Sequence, residues 1–111
     1  MSMTVQVLEP EGILDSSKAE RFRQTVNDLP GEAEVLLLDL KDVTFIDSSG
    51  LGILVVILKQ LRTAGRRLCI CSINDQVKML FELTSMNQVF EVFDDRDAFE
   101  AEVLSQSGSL S

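Results

Sequence analysis

The hydrophobic positions of this chain change period several times, and each change predicts an element. From Met3 to Leu8 the residues Met3, Val5 and Val7 alternate with Thr4 and Gln6, the two-residue period of a strand, until Leu8 breaks it. Glu9-Pro10 predicts a turn or bulge and Gly12 to Leu14 a short second strand, so a hairpin is expected at the N-terminus. Asp15 or Ser16 then caps a helix. Its Ala19, Phe22, Val26 and Leu29 recur at spacings of three, four and three, one inward stripe, and Pro30-Gly31 stops it.

Glu34 to Leu40 contains an unbroken apolar run, suited to a central strand covered on both faces. Val43 to Ile46 continues the β-prone stretch and delivers the backbone to Asp47-Ser48-Ser49. The segment Leu51 to Leu58 could be a buried strand on propensity alone. Helix is favoured by the preceding cap residues, by a stripe running on through Leu54, Leu58 and Leu61, and by Ala64-Gly65 as its C-terminus. Its apolar residues cover almost the whole circumference. That is more than one sheet face needs, so the extra face must meet another helix or a partner.

Arg66-Arg67 reads as a solvated helix-to-strand turn before the strand Leu68 to Ser72. Asn74 or Asp75 caps a helix with Val77, Leu80 and Phe81 inward, closed by Thr84 to Asn87. Val89 to Phe93 is a short strand, and Asp94 or Asp95 caps a last helix through Leu104 that carries Ala98, Phe99 and Val103. Residues 105–111 form a polar Ser/Gly-rich tail, expected to be flexible. The order ββαβαβαβα predicts one α/β domain over residues 1–104. It has a mostly parallel central sheet, an N-terminal hairpin and about four helices.

Composition narrows the functional classes. At 111 residues the chain can bury a single core without metal or disulfide help. A formal charge of −8 with no basic cluster argues against nucleic acid and against anionic membranes, and favours a basic protein partner. The longest apolar stretch is too short to span a bilayer and the N-terminus lacks a signal-peptide pattern, so a cytoplasmic location is expected. Cys69 and Cys71 would share one face of a strand and read as reduced thiols packed as small hydrophobes. With no histidine and no third cysteine, no metal site is expected. Asp94, Asp95 and Asp97 are explained by helix capping. Enzymatic readings lack support: there is no histidine base, no Walker loop, no Gly-x-Ser-x-Gly elbow, and no activating base for Ser48. No cofactor is expected, and the oligomeric state is not encoded in any feature of the chain.

The stretch Phe45-Ile46-Asp47-Ser48-Ser49-Gly50-Leu51-Gly52 is the chemically informative one. Asp47, Ser48 and Ser49 are all preferred N-cap residues, yet one such residue satisfies a helix end. Gly50 and Gly52 leave that end bare to an approaching molecule. Two hydroxyls are thereby displayed at the positive end of a helix dipole, where an added phosphate would be tolerated.

This motif resembles the signature of the STAS domain, specifically of bacterial anti-sigma factor antagonists. Gly12-Ile13-Leu14-Asp15 with Ala19 is similar to a second, weaker family block, and the likeness extends over residues 4 to 103. The resemblance implies that Ser48, directly after Asp47, is the phosphoacceptor of a partner kinase, with Ser49 the cap or a bystander. It implies that Asp47 holds the serine hydroxyl or contacts the kinase. Asp15 is implied to lie near Ser48, and Gly50, Leu51 and Gly52 to belong to the contact surface, with buried packing the rival for Leu51. The partners implied are an anti-sigma factor that is itself a serine kinase and a PP2C-type phosphatase. Other outputs remain open at this point: a STAS regulator of metabolic or stress signalling, a STAS subunit of a transport system, or a nucleotide- or lipid-binding sensor.

Overall fold

The apolar run Val35 to Leu38, with Asp39, forms strand β3 (Val35–Asp39), buried along its whole length because helices cover both faces of the sheet it centres. The structure, a computed structural model, describes residues 4–29 and 33–104. The expected strand start at Met3, the stop at Pro30-Gly31 and the C-terminal tail lie outside the described residues.

In chain order the elements are β1 (Val5–Leu8), β2 (Gly12–Leu14), α1 (Ser16–Asp28), β3, β4 (Val43–Ile46), α2 (Ser48–Thr63), β5 (Arg67–Cys71), α3 (Asp75–Leu83), β6 (Glu91–Phe93) and α4 (Arg96–Phe99). A short 3₁₀ turn at Met86–Gln88 precedes β6, and α4 runs on into a π-helical turn over Glu100–Leu104. One sheet has the order β1-β3-β5-β6 and a second pairs β2 with β4; every pairing is parallel. The α/β class, the mostly parallel sheet and the four helices are as expected from the sequence.

The hairpin is not formed: β1 and β2 do not pair with each other. β1 lies parallel to β3, and β2 lies parallel to β4 in register Ile13↔Phe45 and Leu14↔Ile46. The chain crosses over instead of doubling back. Gly12, at φ +78°, redirects it, and its N–H donates to Asp42 O at 2.9 Å. β1 thereby gains a fully buried neighbour. The alternating burial of Ile13 (exposed) and Leu14 (buried) suits a two-stranded ribbon with one wet face. The stretch Val43–Ile46 is also a strand of its own, split from β3 by the turn that Val43 N–H closes on Leu40 O at 3.0 Å. This makes six strands among the described residues where the sequence pattern implied five.

Leu36, Leu38, Leu68 and Ile70 face the larger core, which contains Leu54, Ile57 and Leu58 of α2, Val26 of α1, and Val77 and Phe81 of α3. The other face puts Val35, Leu37, Cys69 and Cys71 against Phe99 and Val103, two of the three residues expected on the last helix; the third, Ala98, is half-buried. α4 is tied to the sheet by charges. Lys41 Nζ donates to Asp39 Oδ2 at 3.2 Å and Glu9 Oε1 at 2.7 Å, while Arg96 donates to Asp39 Oδ2 at 3.0 Å and also to Glu9. Burial pushes the Asp39 carboxyl up, but the Lys41 backbone N–H, the Lys41 ammonium and the Arg96 guanidinium outweigh it and hold the pKa below the usual range. Among the described residues, no helix is long and apolar enough to cross a membrane.

Candidate functional site

β4 is pinned from outside its own sheet by two side chains of the α3 end. Gln76 brackets Ile46, accepting from its N–H and donating to its C=O, both at 2.9 Å. Asn74 Nδ2 donates to Val43 O at 3.2 Å and Thr44 O at 3.1 Å, while its Oδ1 accepts from Val77 N and so caps α3. These amides occupy the edge where a further strand would bond, and they fix the strand that hands the chain to Asp47. Gln76 is not singled out by the sequence; a glutamine in the first turn of a helix carries no local sign of a partner thirty residues away.

Asp47 is the N-cap of α2. Its Oδ1 accepts from Gly50 N at 2.7 Å, and its carbonyl receives the first helical bond from Leu51 N at 3.0 Å. Capping therefore falls to Asp47 and not to Ser49. The cap bond also occupies Asp47 Oδ1, and no hydrogen bond links Asp47 to the Ser48 hydroxyl. Ser48 and Ser49 are the first two residues of α2, both exposed, and their hydroxyls have no partner among the described residues.

The two glycines play different parts. Gly50 is buried, and a Cβ built there would stand 2.1 Å from Leu14 O and 3.0 Å from Leu14 C, so its missing side chain lets α2 press against β2. Gly52 is exposed, and a Cβ there would meet nothing within 4 Å. Of the two, Gly52 is the bare one. Leu51 is corrected to the core: it is 5% exposed and packs in the larger cluster with Leu14, Ile46 and Leu54. The wide apolar circumference of α2 is taken up mainly by the sheet and by α1, which packs along it. Val56, 42% exposed, is what remains of the extra face.

Asp15 caps α1 as Asp47 caps α2, with Oδ1 accepting from Lys18 N at 3.1 Å. That backbone bond, with the Ser17 hydroxyl, holds its carboxyl below the usual range. Because Leu14 and Ile46 are register partners in a parallel pair, Asp15 and Asp47 leave the β2–β4 ribbon at the same end. Asp47 N–H reaches Leu14 O at 3.4 Å, so the two capped helix starts are neighbours. Two residues before each aspartate on the ribbon stand Ile13 and Phe45, register partners that are 47% and 43% exposed. This apolar pair was not foreseen as part of the site. Its sequence signal is faint: large apolar residues in short strands, each beside a residue needed for the core.

A family model described as the STAS domain matches residues 3–98. The chain belongs to the STAS domain family. An anti-sigma-B factor antagonist of Listeria monocytogenes is 36% identical to this STAS domain over 61 residues, 55% of this chain and 54% of the relative, so that match spans about half of each. A Thermotoga maritima protein described as an anti-sigma factor antagonist is 32% identical over 92 residues, 81% of each chain. A crystal structure from that organism superposes with a TM-score of 0.82 at 30% identity, covering 89% of this chain and 86% of the other. The STAS domain of a SulP transporter from Vibrio cholerae shares the fold, with a TM-score of 0.80 at 19% identity over 98% of this chain and 88% of the other.

Proposed function

We propose that this STAS domain is an anti-sigma factor antagonist switched by phosphorylation of Ser48. Unmodified, it binds a cognate anti-sigma factor that is also a serine kinase, and so frees a sigma factor. Phosphate on Ser48 breaks that complex and a PP2C-type phosphatase restores it. The chain acts as a binding module: ATP belongs to the kinase. The observation that supports the reading is the Ser48 hydroxyl, exposed and without a partner among the described residues, at the first residue of α2. The ribbon that leads into α2 carries the exposed pair Ile13–Phe45, which supplies apolar contact area. Gly52, four residues after Ser48, lies on the same helix face and adds no side chain to obstruct a partner. Asp15, Asp47, Ser49 and Gly52 complete the proposed contact surface, with Leu51 and Gly50 supporting it from beneath.

The energetics favour a binding switch over a folding switch. A phosphoserine adds about −1.5 to −2 charges. The α2 N-terminus favours such charge by roughly 0.3–1 kcal/mol, and repulsion from Asp47 and Asp15 opposes it by a similar order, screened by salt. The fold should therefore barely respond. A partner pressed onto Ile13, Phe45 and Ser48 would have to desolvate the phosphate. Loss of one central contact typically costs about 2–4 kcal/mol, roughly 30- to 1000-fold in affinity.

The test begins with capture of the partner by unmodified protein and its identification by mass spectrometry. Incubation with that partner and ATP is expected to label the wild type and Ser49→Ala, and not Ser48→Ala. Titration calorimetry should then show at least a 30-fold weaker complex for the phosphoprotein, with urea melts of the two forms nearly superimposed. Phosphate mapped to Ser49, or equal affinity of both forms, would overturn the proposal.

A further inference from the structure

α3 carries more apolar surface than its packing uses. Of its five apolar residues, Val77 and Phe81 are buried and Leu80 is half-buried against the larger core, while Met79 and Leu83 are 61% and 78% exposed. Met79 and Leu83 are four residues apart on one helix face, and they share it with Gln76 at spacings of three and seven. Gln76 holds Ile46, so this face of α3 borders β4. Ile46, Val77 and Phe81 belong to one buried cluster, and Phe45, Met79 and Leu83 lie on the opposite, solvent side of the same two elements. The exposed pair Ile13–Phe45 of the β2–β4 ribbon and the exposed pair Met79–Leu83 of α3 thus form one band, with Gln76 between them. Apolar side chains exposed singly need no explanation, but a shared surface on the order of a few hundred Å² marks an interaction site.

We infer, resting on the proposed reading of Ser48, that this band docks a basic surface of the same protein partner, and that Met79 and Leu83 give that partner a second foothold on a helix other than the one that is modified. Charge selects the occupant. Glu11, Asp42, Asp75 and Glu82 flank the band, exposed and in no ion pair among the described residues. The capping carboxylates of Asp15 and Asp47 stand at its Ser48 end, and Lys18 and Lys78 are the cations near them. An apolar centre within a charged rim is the ordinary layout of a protein interface. A second copy of a chain with net charge −8 would bring like charge to like, whereas a basic surface bearing apolar side chains complements both features.

The probe is the anti-sigma factor captured by the unmodified protein, purified and titrated by calorimetry against full-length variants. Leu83→Gln is expected to weaken the complex by about tenfold or more and Met79→Gln several-fold, with urea melts of both unchanged because the positions are exposed. Glu102→Gln, exposed in the π-helical turn on the other face of the sheet, should leave affinity unchanged. Wild-type affinity should fall as salt is raised, since the rim contacts join opposite charges. Equal affinity of wild type and Leu83→Gln, a complex indifferent to salt, or a loss of stability in Leu83→Gln would overturn the inference and leave the Ser48 switch standing. Weaker binding by Leu83→Gln with no effect of phosphate on Ser48 would support the docking surface and refute the switch. Failure to capture an anti-sigma factor would overturn both. Sedimentation showing a dimer of this chain that Leu83→Gln dissolves would assign the band to a second copy and refute the basic partner.

Discussion

Replacing Gly50 by alanine tests the packing that holds the Ser48 region together. Two opposing effects set the sign. In a helix interior alanine is favoured over glycine by about 0.8–1.0 kcal/mol. Against this, the new Cβ would stand 2.1 Å from Leu14 O and 3.0 Å from Leu14 C, both backbone atoms. Ordinary contact between a methyl and a carbonyl oxygen needs more than an ångström of additional room. Leu14 cannot yield it freely, because it is register partner to Ile46 and its carbonyl receives Asp47 N–H. Overpacking of this kind costs about 1–3 kcal/mol, and more where backbone must move. The clash should win, leaving Gly50→Ala destabilised by about 1–2 kcal/mol or more. Gly52→Ala is the internal control: its Cβ meets nothing within 4 Å, so only the propensity gain remains and the variant should be more stable by about 0.5–1 kcal/mol. Urea melts of the three proteins read both values, with partner affinity measured alongside. If Gly50→Ala is as stable as wild type, or the two variants shift in the same direction, α2 does not press on β2 as described.

Leu51→Ala should cost about 2–5 kcal/mol in urea melts, as for other buried leucines, and any loss of partner affinity should follow from that instability. Asp39 and Glu91 both have carboxyl pKa values held below the usual range. A depressed folded pKa contributes stability above the unfolded value that is lost as pH falls through the folded one. Thermal melts should therefore be nearly flat from pH 8 to 6 in a chain with no histidine, then drop below about pH 4. Arg96→Met should reduce that acid slope. Burial pushes the Cys69 thiol up to about 12 and raises that of Cys71, so neither should react with a disulfide reagent at pH 8 until urea unfolds the chain, when both should.

Much of this domain was legible in the sequence because the signals were local. A capping side chain acts on an N–H two or three residues away, which is why the helix starts are readable in the bare sequence to within a residue or two, while the structure picks out Asp15, Asp47, Asn74 and Asp95 as the caps. Hydrophobic period, also local, located β3, α1 and α2 and put Val77, Phe81, Phe99 and Val103 inward. The serine-bearing motif at the start of α2 was equally readable. What joins residues about thirty positions apart was decided only by tertiary packing. The parallel pairing of β2 with β4, the grip of Gln76 on Ile46 and the approach of Leu14 to Gly50 have no local signature. The same holds for side chains whose surroundings other elements supply. Leu51 is apolar whether a partner or the core covers it, and only the assembled β2–β4 ribbon shows it covered from within, while Ile13 and Phe45 remain open to solvent.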